Sequence, residues 1–224
     1  RLTHEIEDKN FIRYVKRFMK AGIMEDGKYI DTERGVPQGG LISPVLANVY
    51  LHYVIDNWFE KVVKVKLSGK VSMVRYADDN VFCFQYENDA RQFYKALKQR
   101  LAKFGLEIAE DKTKIIKFGR FAGEEAEKFD FLGFTFITGK TRAGKFTVIK
   151  VTSQKKLKVK RQKVKRWLKE NMHTPVDVMI SGLNRKLKGH YNYYGLSHNS
   201  HRMNEFYYYV TQLSQEHNIS FSLI

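Results

Sequence analysis

Apolar residues recur three and four positions apart in two segments of the first third of the chain, which predicts two amphipathic helices. The first follows Asn10 as its N-cap and ends at Gly22. The second has Ser43 as N-cap and Pro44 as first helical residue, and it extends to about Lys64. Between them, residues 27–36 predict a short hairpin whose extended stretches are residues 29–31 and 32–34.

Runs of β-branched and aromatic residues dominate the middle of the chain and predict strands. The runs 71–76 and 81–86 flank residues 77–80 and predict a hairpin. A helix capped by Asn88 and closed by Gly105 follows. Further strands are predicted at residues 106–109, 113–118, 129–137 and 146–151, the last two as a hairpin joined by a glycine-rich turn at 139–144.

The pattern changes after Thr152, where helical spacing replaces strand-like runs. A basic amphipathic helix is predicted over residues 154–171, a second helix opens at Thr174-Pro175, and a third covers residues 204–213. Mixed elements followed by helices alone indicate an α+β domain over residues 1–150 and a small all-α domain over residues 151–224.

Positive charge is concentrated in the first of these helices. The chain has 40 Lys and Arg against 24 Asp and Glu, a net charge of +16. Ten basic residues and one acid, Glu170, lie between Lys150 and Asn171, so this stretch carries +9. A dense basic face is typical of a protein that binds a polyphosphate, although a solvated helix face has the same composition. We expect nucleic acid as the partner.

Cysteine and hydropathy patterns restrict the compartment. The single cysteine, Cys83, excludes an internal disulfide and a multi-cysteine zinc site, and its place in a predicted strand favours the core. No apolar run in the sequence reaches the roughly 18 to 20 residues that span a bilayer. We therefore expect a soluble, cytoplasmic protein without a membrane partner.

The tetrapeptide Tyr76-Ala77-Asp78-Asp79 lies at the tip of the predicted hairpin. Adjacent carboxylates on a rigid element supply the hard oxygen ligands that two-metal phosphoryl transfer needs. A plain turn is an equally good interpretation of this motif alone, because Asp and Asn favour the left-handed conformations found in turns.

A longer motif precedes the second helix. Residues 34–40 read Arg-Gly-Val-Pro-Gln-Gly-Gly and are followed by Ser43-Pro44. Glycines allow the backbone to approach a ligand closely, and a helix N-terminus favours anions. The motif does not end in Gly-Lys-Ser/Thr, so it is not a Walker loop. Its length favours a ligand-binding loop over an ordinary loop that precedes a helix.

These motifs, taken in order, resemble those of group II intron reverse transcriptases. Residues 34–44 resemble the RGVPQGG…SP motif, residues 76–79 the YADD box, and residues 106–114 the next motif of the family. Residues 131–134 resemble the FLGF primer grip, and residues 183–195 the thumb or maturase signature. The resemblance covers roughly residues 5–210. It implies a right-hand polymerase palm, an antiparallel sheet with helices, followed by a small helical thumb.

The resemblance also implies roles for individual residues. Asp78 and Asp79 would bind two Mg²⁺ ions, with Mn²⁺ as an alternative, and Lys112 would donate a proton to pyrophosphate. The nucleotide would lie against Pro37, Gln38, Gly39, Gly40, Tyr76 and Ala77. The primer grip would be Phe131, Leu132, Gly133 and Phe134. Nucleic acid would contact Lys155, Lys158, Arg161, Lys165, Arg166, His190 and Tyr194, the aromatic residues of 190–194 being split between core and RNA.

The implied function is an RNA-directed DNA polymerase that adds dNTPs to a DNA primer on an RNA template, and that also binds intron RNA and assists splicing. A non-catalytic, maturase-like RNA-binding module is the alternative. The family's first catalytic aspartate lies in an FxxxDxxxxFD-type motif, expected upstream of Arg1. We therefore expect a fingers segment or a second chain to complete the site, the isolated chain to be inactive, and the protein to be in bacterial ribonucleoprotein.

Overall fold

The computed structural model describes residues 6–19, 23–25, 28–30 and 42–216, and these form helices and short antiparallel strands. Residues 23–25 and 28–30 are described by their backbone alone. The chain divides into two compact units, Arg1–Ile115 and Ile116–Ile224. The mixed content confirms the α+β class, whereas the division at residue 150, which rests on the change from mixed elements to helices alone, stays a prediction.

The first unit contains four α-helices and two hairpins in its described part. The helices are α1 (Lys9–Met19), α2 (Ser43–Leu51), α3 (Lys64–Lys66) and α4 (Glu87–Ala102), and two π-helical turns, π1 (His52–Asp56) and π2 (Phe59–Val63), join α2 to α3. The strands are β1 (Ile23–Glu25), β2 (Lys28–Ile30), β3 (Val71–Tyr76) and β4 (Asp79–Phe84). β1 pairs with β2 and β3 with β4, both antiparallel.

The helix beginnings differ from the prediction by one to two residues. Asp8, not Asn10, caps α1, because its carboxylate accepts hydrogen bonds from the backbone N–H groups of Asn10 and Phe11 at 2.8 and 3.1 Å. Ile42 rather than Ser43 occupies the N-cap of α2. Helix α4 begins at Glu87, so Asn88 is already inside it.

The C-terminal end of α4 confirms the predicted stop. Gly105 has a φ of +68°. Its N–H donates to the Ala102 carbonyl at 3.1 Å, and the N–H of Leu106 donates to the Leu101 carbonyl at 3.0 Å. This is a Schellman motif, which satisfies carbonyls that the helix end leaves open.

Several predicted strands are wrong. The first hairpin pairs Lys28–Ile30 with Ile23–Glu25, which precedes it, whereas residues 32–34 were expected to follow as the second strand. Residues 31–34 lie outside the described residues. Residues 106–109 and 113–118 form no strand, since no described strand pairs with them. The predicted strand 129–137 is two strands, because a tight turn at Leu132-Gly133 interrupts it.

The core of the first unit forms where the π-helical run, α4 and the β3–β4 hairpin meet. Phe93 of α4 lies at its centre, with ring centroids 4.5 Å from Phe82 and 5.0 Å from Phe84. The buried members are Val54, Ile55, Phe59, Val63, Phe93, Leu97 and Leu101. Burying one such side chain contributes about 1.5–3 kcal/mol.

Cys83 lies on the opposite face of this hairpin and is exposed, so the expectation that it faces the core is wrong. The register explains this result: Val71 and Met73 pair with Phe84 and Phe82, whereas Cys83 pairs with Ser72 on the other face.

The second unit packs three helices beside a three-stranded sheet. The strands are β5 (Phe129–Phe131), β6 (Phe134–Lys140) and β7 (Phe146–Thr152), paired in that order and antiparallel. The helices are α5 (Gln154–Glu170), α6 (Val176–Tyr194) and α7 (Ser200–Glu216), and their apolar faces form one core around Leu157, Leu183 and Phe206. All three helices confirm the prediction, although α7 begins four residues early. No helix in the described ranges is long and apolar enough to cross a membrane.

Candidate active site and nucleic-acid interface

The tetrapeptide 76–79 forms the tip of the β3–β4 hairpin, as predicted. Tyr76 pairs with Asp79, so only Ala77 and Asp78 form the turn. Ala77 has a φ of +54°, which is unfavourable for a residue with a Cβ and is typical of strained functional turns. The side-chain amide of Asn80 donates to the Asp78 carbonyl at 2.7 Å and supports the turn.

Both aspartate side chains of the tip are open to solvent. Asp78 and Asp79 are exposed, and within the described residues neither carboxylate has an ion pair or a side-chain hydrogen bond. Tyr76 lies on the same face as Asp79 and is 66% exposed. The tip therefore presents two exposed carboxylates beside an accessible ring.

Free, adjacent carboxylates fit the donor set that Mg²⁺ prefers. The described residues contain no group of three or more His, Cys, Asp or Glu side chains that could hold a metal ion. The hairpin therefore supplies two oxygen-donor side chains for a cation and leaves its other ligands to water, substrate phosphate or further protein groups.

Of the other residues predicted to act at the nucleotide, the structure describes Lys112 but not the loop at residues 37–40. Lys112 is exposed in a turn after Ala109, whose carbonyl accepts its N–H at 3.0 Å. The loop residues Pro37, Gln38, Gly39 and Gly40 lie outside the described residues.

The predicted primer grip is a tight turn between β5 and β6. Leu132 and Gly133 have φ values of +50° and +83°, which gives the two positive-φ positions of a type I′ hairpin. Two bonds hold this turn: the Tyr193 hydroxyl donates to the Leu132 carbonyl, and the Ser153 N–H donates to the Gly133 carbonyl, both at 2.9 Å. Phe134 is buried, and the primer-grip role of residues 131–134 stays a prediction.

His190 and Tyr194 are in the core of the second unit, which corrects the expectation that they contact nucleic acid. His190 is fully buried and Tyr194 is 4% exposed. The ring centroid of His190 lies 4.7 Å from that of Tyr194 and 4.3 Å from that of Phe206. Tyr193, which is 52% exposed, is the accessible aromatic residue of this segment.

Exposed cations cover most of the solvent side of α5. Within the described residues, those that are exposed and have no ion pair are Lys155, Lys156, Lys158, Lys163, Lys165, Arg166 and Lys169. Arg161 differs, because its guanidinium pairs with the Glu205 carboxylate at 2.8 Å and lies 4.9 Å from the Tyr209 ring centroid. Arg161 therefore joins α5 to α7, and the nucleic-acid contact predicted for it stays a prediction.

Sequence reasoning missed Arg75, which stands directly before the tetrapeptide. On β3 its side chain shares a face with Val71 and Met73, which pack against the core. A charged residue on an apolar face needs a partner. The strand alternation was therefore a usable signal, and the partner is Asp56 of π1.

Two protein families match this chain. Residues 2–136 match the family described as reverse transcriptase (RNA-dependent DNA polymerase). Residues 157–214 match the group II intron, maturase-specific domain. The first match includes the β3–β4 hairpin and the second covers α6 and most of α5 and α7.

Individual relatives agree with these matches. The group II intron-encoded protein LtrA of Lactococcus lactis is 46% identical over 48 residues, which cover 21% of this chain and 8% of LtrA. A 91 kDa protein in a cob intron of Schizosaccharomyces pombe is 26% identical over an alignment of 290 residues, which covers 93% of this chain and 34% of that protein. Protein YkfC of Escherichia coli is 27% identical over 185 residues, 69% of this chain and 46% of YkfC.

This chain thus spans less than half the length of each of these three relatives. The reverse transcriptase match nevertheless covers more than half of the chain. The predicted resemblance is confirmed: the chain belongs to the reverse transcriptase family, and its residues 157–214 match the group II intron, maturase-specific domain.

Proposed function

We propose that this chain carries palm and thumb portions of an RNA-directed DNA polymerase of the group II intron type. The observation that carries the proposal is the pair of exposed carboxylates, Asp78 and Asp79, at a strained hairpin tip inside the segment that matches reverse transcriptases. The small antiparallel sheets with helices support the palm for residues 1–150, and α5–α7 support the thumb for residues 151–224.

In the proposed reaction, the primer 3′-oxygen attacks the α-phosphate of a dNTP paired with an RNA template, and pyrophosphate leaves. Two Mg²⁺ ions held by Asp78 and Asp79 would neutralise charge on the phosphates and favour the ionised primer hydroxyl. Lys112, from an exposed turn, would give a proton to the departing pyrophosphate. The Gln38 loop would position the nucleotide, and the Leu132-Gly133 turn would hold the primer backbone.

The test is template-primed dNTP incorporation by the full-length protein and by its Asp78→Asn variant. A metal ligand acts in the transition state, whereas phosphate contacts elsewhere supply affinity. We expect a fall in rate of about 10³-fold or more with RNA affinity unchanged. Incorporation at a near-normal rate by Asp78→Asn would overturn the assignment.

A binding function accompanies the polymerase in this proposal, and it alone is the alternative if polymerisation fails. The cations Lys155, Lys158, Lys165, Arg166 and Lys169 fall within about 100° of the α5 circumference, at 3.6 residues per turn. This face, together with the net charge of +16, supports contact with the phosphate backbone of intron RNA or template–primer duplex in a ribonucleoprotein.

Two matched pairs on α5 test this binding face. Lys158 and Lys165 lie on it, whereas Lys156 and Lys163 are also exposed and have the same spacing but lie on another side of the helix. Replacing the first pair by Gln should flatten the slope of log affinity against log salt by about one to two. Replacing the second pair removes the same net charge and should leave the slope unchanged. Equal slopes for both variants would refute the face.

A further inference from the structure

Arg75 forms four hydrogen bonds from a largely buried position beside the aspartate tip; its side chain is 12% exposed. Its Nε and Nη2 donate to the two carboxylate oxygens of Asp56 at 2.7 and 2.6 Å. Its Nη1 donates to the side-chain carbonyl of Asn48 at 2.8 Å and to the backbone carbonyl of Ala77 at 3.0 Å. The guanidinium thus links the helical run 43–56 to the turn that carries Asp78.

Asp56 holds the other end of this link. Burial alone raises the pKa of its carboxyl, but the hydrogen bonds and charges of Arg75 and His52 outweigh that effect and hold the pKa below its ordinary value. The Asp56 carboxylate is therefore ionised and, through two parallel hydrogen bonds, fixes the plane of the Arg75 guanidinium.

Both peptide groups that flank Asp78 are held by side chains. Arg75 binds the carbonyl of Ala77, which belongs to the peptide before Asp78, and Asn80 binds the carbonyl of Asp78, which belongs to the peptide after it. Ala77 has a φ of +54°, which an alanine adopts only where the surroundings determine it. Of these two side chains, Arg75 is the one that connects the turn to another element, because it also binds Asp56 of π1.

We propose that Arg75, oriented by Asp56 and Asn48, is a positioning residue that fixes the peptide before Asp78 and so aims the carboxylates of Asp78 and Asp79. The inference rests on the proposed polymerase function of these aspartates. In this role Arg75 acts through the backbone of the turn.

The proposed positioning role and a merely structural ion pair between a helix and a hairpin make different predictions. If Asp56 acts only by orienting Arg75, as proposed, then Asp56→Asn should cause no further loss of kcat once Arg75 is already replaced. If the pair only stabilises the fold, replacing either residue should lower the unfolding temperature and leave the turnover of the folded enzyme unchanged.

The experiment uses the full-length protein with Arg75→Gln, Arg75→Lys, Asp56→Asn and the double variant Asp56→Asn/Arg75→Gln. We expect Arg75→Gln to lower kcat about 10–100-fold, as is typical for groups that orient a metal ligand, with the KM for dNTP within about twofold of the parent. Arg75→Lys should recover only part of the loss, because an ammonium keeps the positive charge but lacks the planar fork of the guanidinium. The double variant should equal Arg75→Gln.

Arg100→Gln is the matched control. Its guanidinium donates to the carbonyls of Val54 and Tyr53, at 3.1 and 3.4 Å, in the same helical run but away from the turn. This variant should lose stability yet keep the parent kcat at a temperature well below its unfolding transition.

Amide hydrogen exchange provides a readout that does not depend on activity. In Arg75→Gln and Asp56→Asn, amides of the segment 77–80 should exchange at least about tenfold faster, with amides of α4 unchanged. Three results would each overturn the inference: unaltered exchange at 77–80, additive losses of kcat in the double variant, or an unaltered kcat in an enzyme whose activity requires Asp78. A parent protein whose incorporation does not depend on Asp78 would instead overturn the proposed function, and exchange would still decide whether Arg75 holds the turn.

Discussion

Replacing His190 by methionine should stabilise the second unit, and more so at acidic pH. The imidazole of His190 is fully buried among Tyr194, Phe206 and the rest of the helical core. Within the described residues neither ring nitrogen has a hydrogen-bond partner. Burial, and to a smaller extent the charge of Lys160, lowers the pKa of His190 to about 4.

The sign and size of the effect follow from this pKa. An unfolded histidine has a pKa near 6.5, so between 6.5 and about 4 the unfolded chain binds a proton that the folded chain does not. Stability therefore falls as the pH drops below 6.5. The histidine costs almost nothing by this route at pH 7.5 and about 2 kcal/mol at pH 5. Its unpaired nitrogens add about 1 kcal/mol at either pH.

The assay is urea unfolding at pH 7.5 and pH 5.0, followed by tryptophan emission. The chain has two tryptophans, and a Trp58→Phe background leaves Trp167, which packs against the core that contains the helices of the second unit. His190→Met should exceed the parent by about 1 kcal/mol at pH 7.5 and about 3 kcal/mol at pH 5.0.

His201→Gln is the control, because His201 is exposed on α7 and its loss also removes one titratable ring. Other groups titrate alike in parent and variant and cancel in the difference. A stability difference for His190→Met that is the same at both pH values would refute the reasoning.

Two glycine exchanges test the strained turns. Ala77→Gly should stabilise the first unit by up to about 1 kcal/mol, because glycine adopts a positive φ freely. Ala96→Gly, inside α4, is the control and should lower stability by about 1 kcal/mol. Thermal unfolding compares the two variants, and a loss of stability in Ala77→Gly would contradict the strain at Ala77. Gly133→Ala should destabilise the second unit by at least about 2 kcal/mol, because its φ is +83° and its Cβ would meet the Tyr194 hydroxyl at 2.6 Å. Gly189 lies inside α6, and a Cβ added there would have no atom of another part of the chain within 4 Å, so Gly189→Ala should stabilise by about 1 kcal/mol in the same urea titration. Gains for both alanine variants would show that the Leu132-Gly133 turn tolerates a side chain.

Elements with local signals were predictable from the sequence. The β3–β4 hairpin, the Gly105 stop and α5–α7 all depend on patterns within a few residues. The turn at Leu132-Gly133 was not predictable, because leucine at a positive φ is held there by Tyr193, 61 positions away. Residues 106–109 have strand-like composition, but a strand also needs a partner, and composition does not supply one.

The errors at His190 and Tyr194 have the same physical origin, although the sequence contained a usable pattern for both. His190 and Tyr194 continue the row that Leu183 and Leu187 begin, at intervals of four, three and four, and this row is the buried face of α6. Arg161 stands in the corresponding row of α5, which explains why it pairs with α7 instead of facing solvent. The family resemblance had implied nucleic-acid contact for all three.

A soft-metal rescue at Asp78 tests the central claim most directly. Asp78→Cys replaces a hard oxygen ligand by a thiolate, which prefers softer ions such as Zn²⁺ or Cd²⁺ over Mg²⁺. The variant is made in a Cys83→Ser background, because Cys83 is exposed and would bind the same ions. Asp78→Ser in that background is the control, since a hydroxyl has no such preference.

The measurement is the rate of template-primed dNTP incorporation with Mg²⁺ alone and with Cd²⁺ added. We expect Asp78→Cys to lose about 10³-fold or more in rate with Mg²⁺ and to recover at least about tenfold with Cd²⁺, whereas Asp78→Ser should stay inactive with both ions. Full activity of Asp78→Cys with Mg²⁺, or the same response of Cys and Ser variants to Cd²⁺, would contradict a metal-binding role for Asp78.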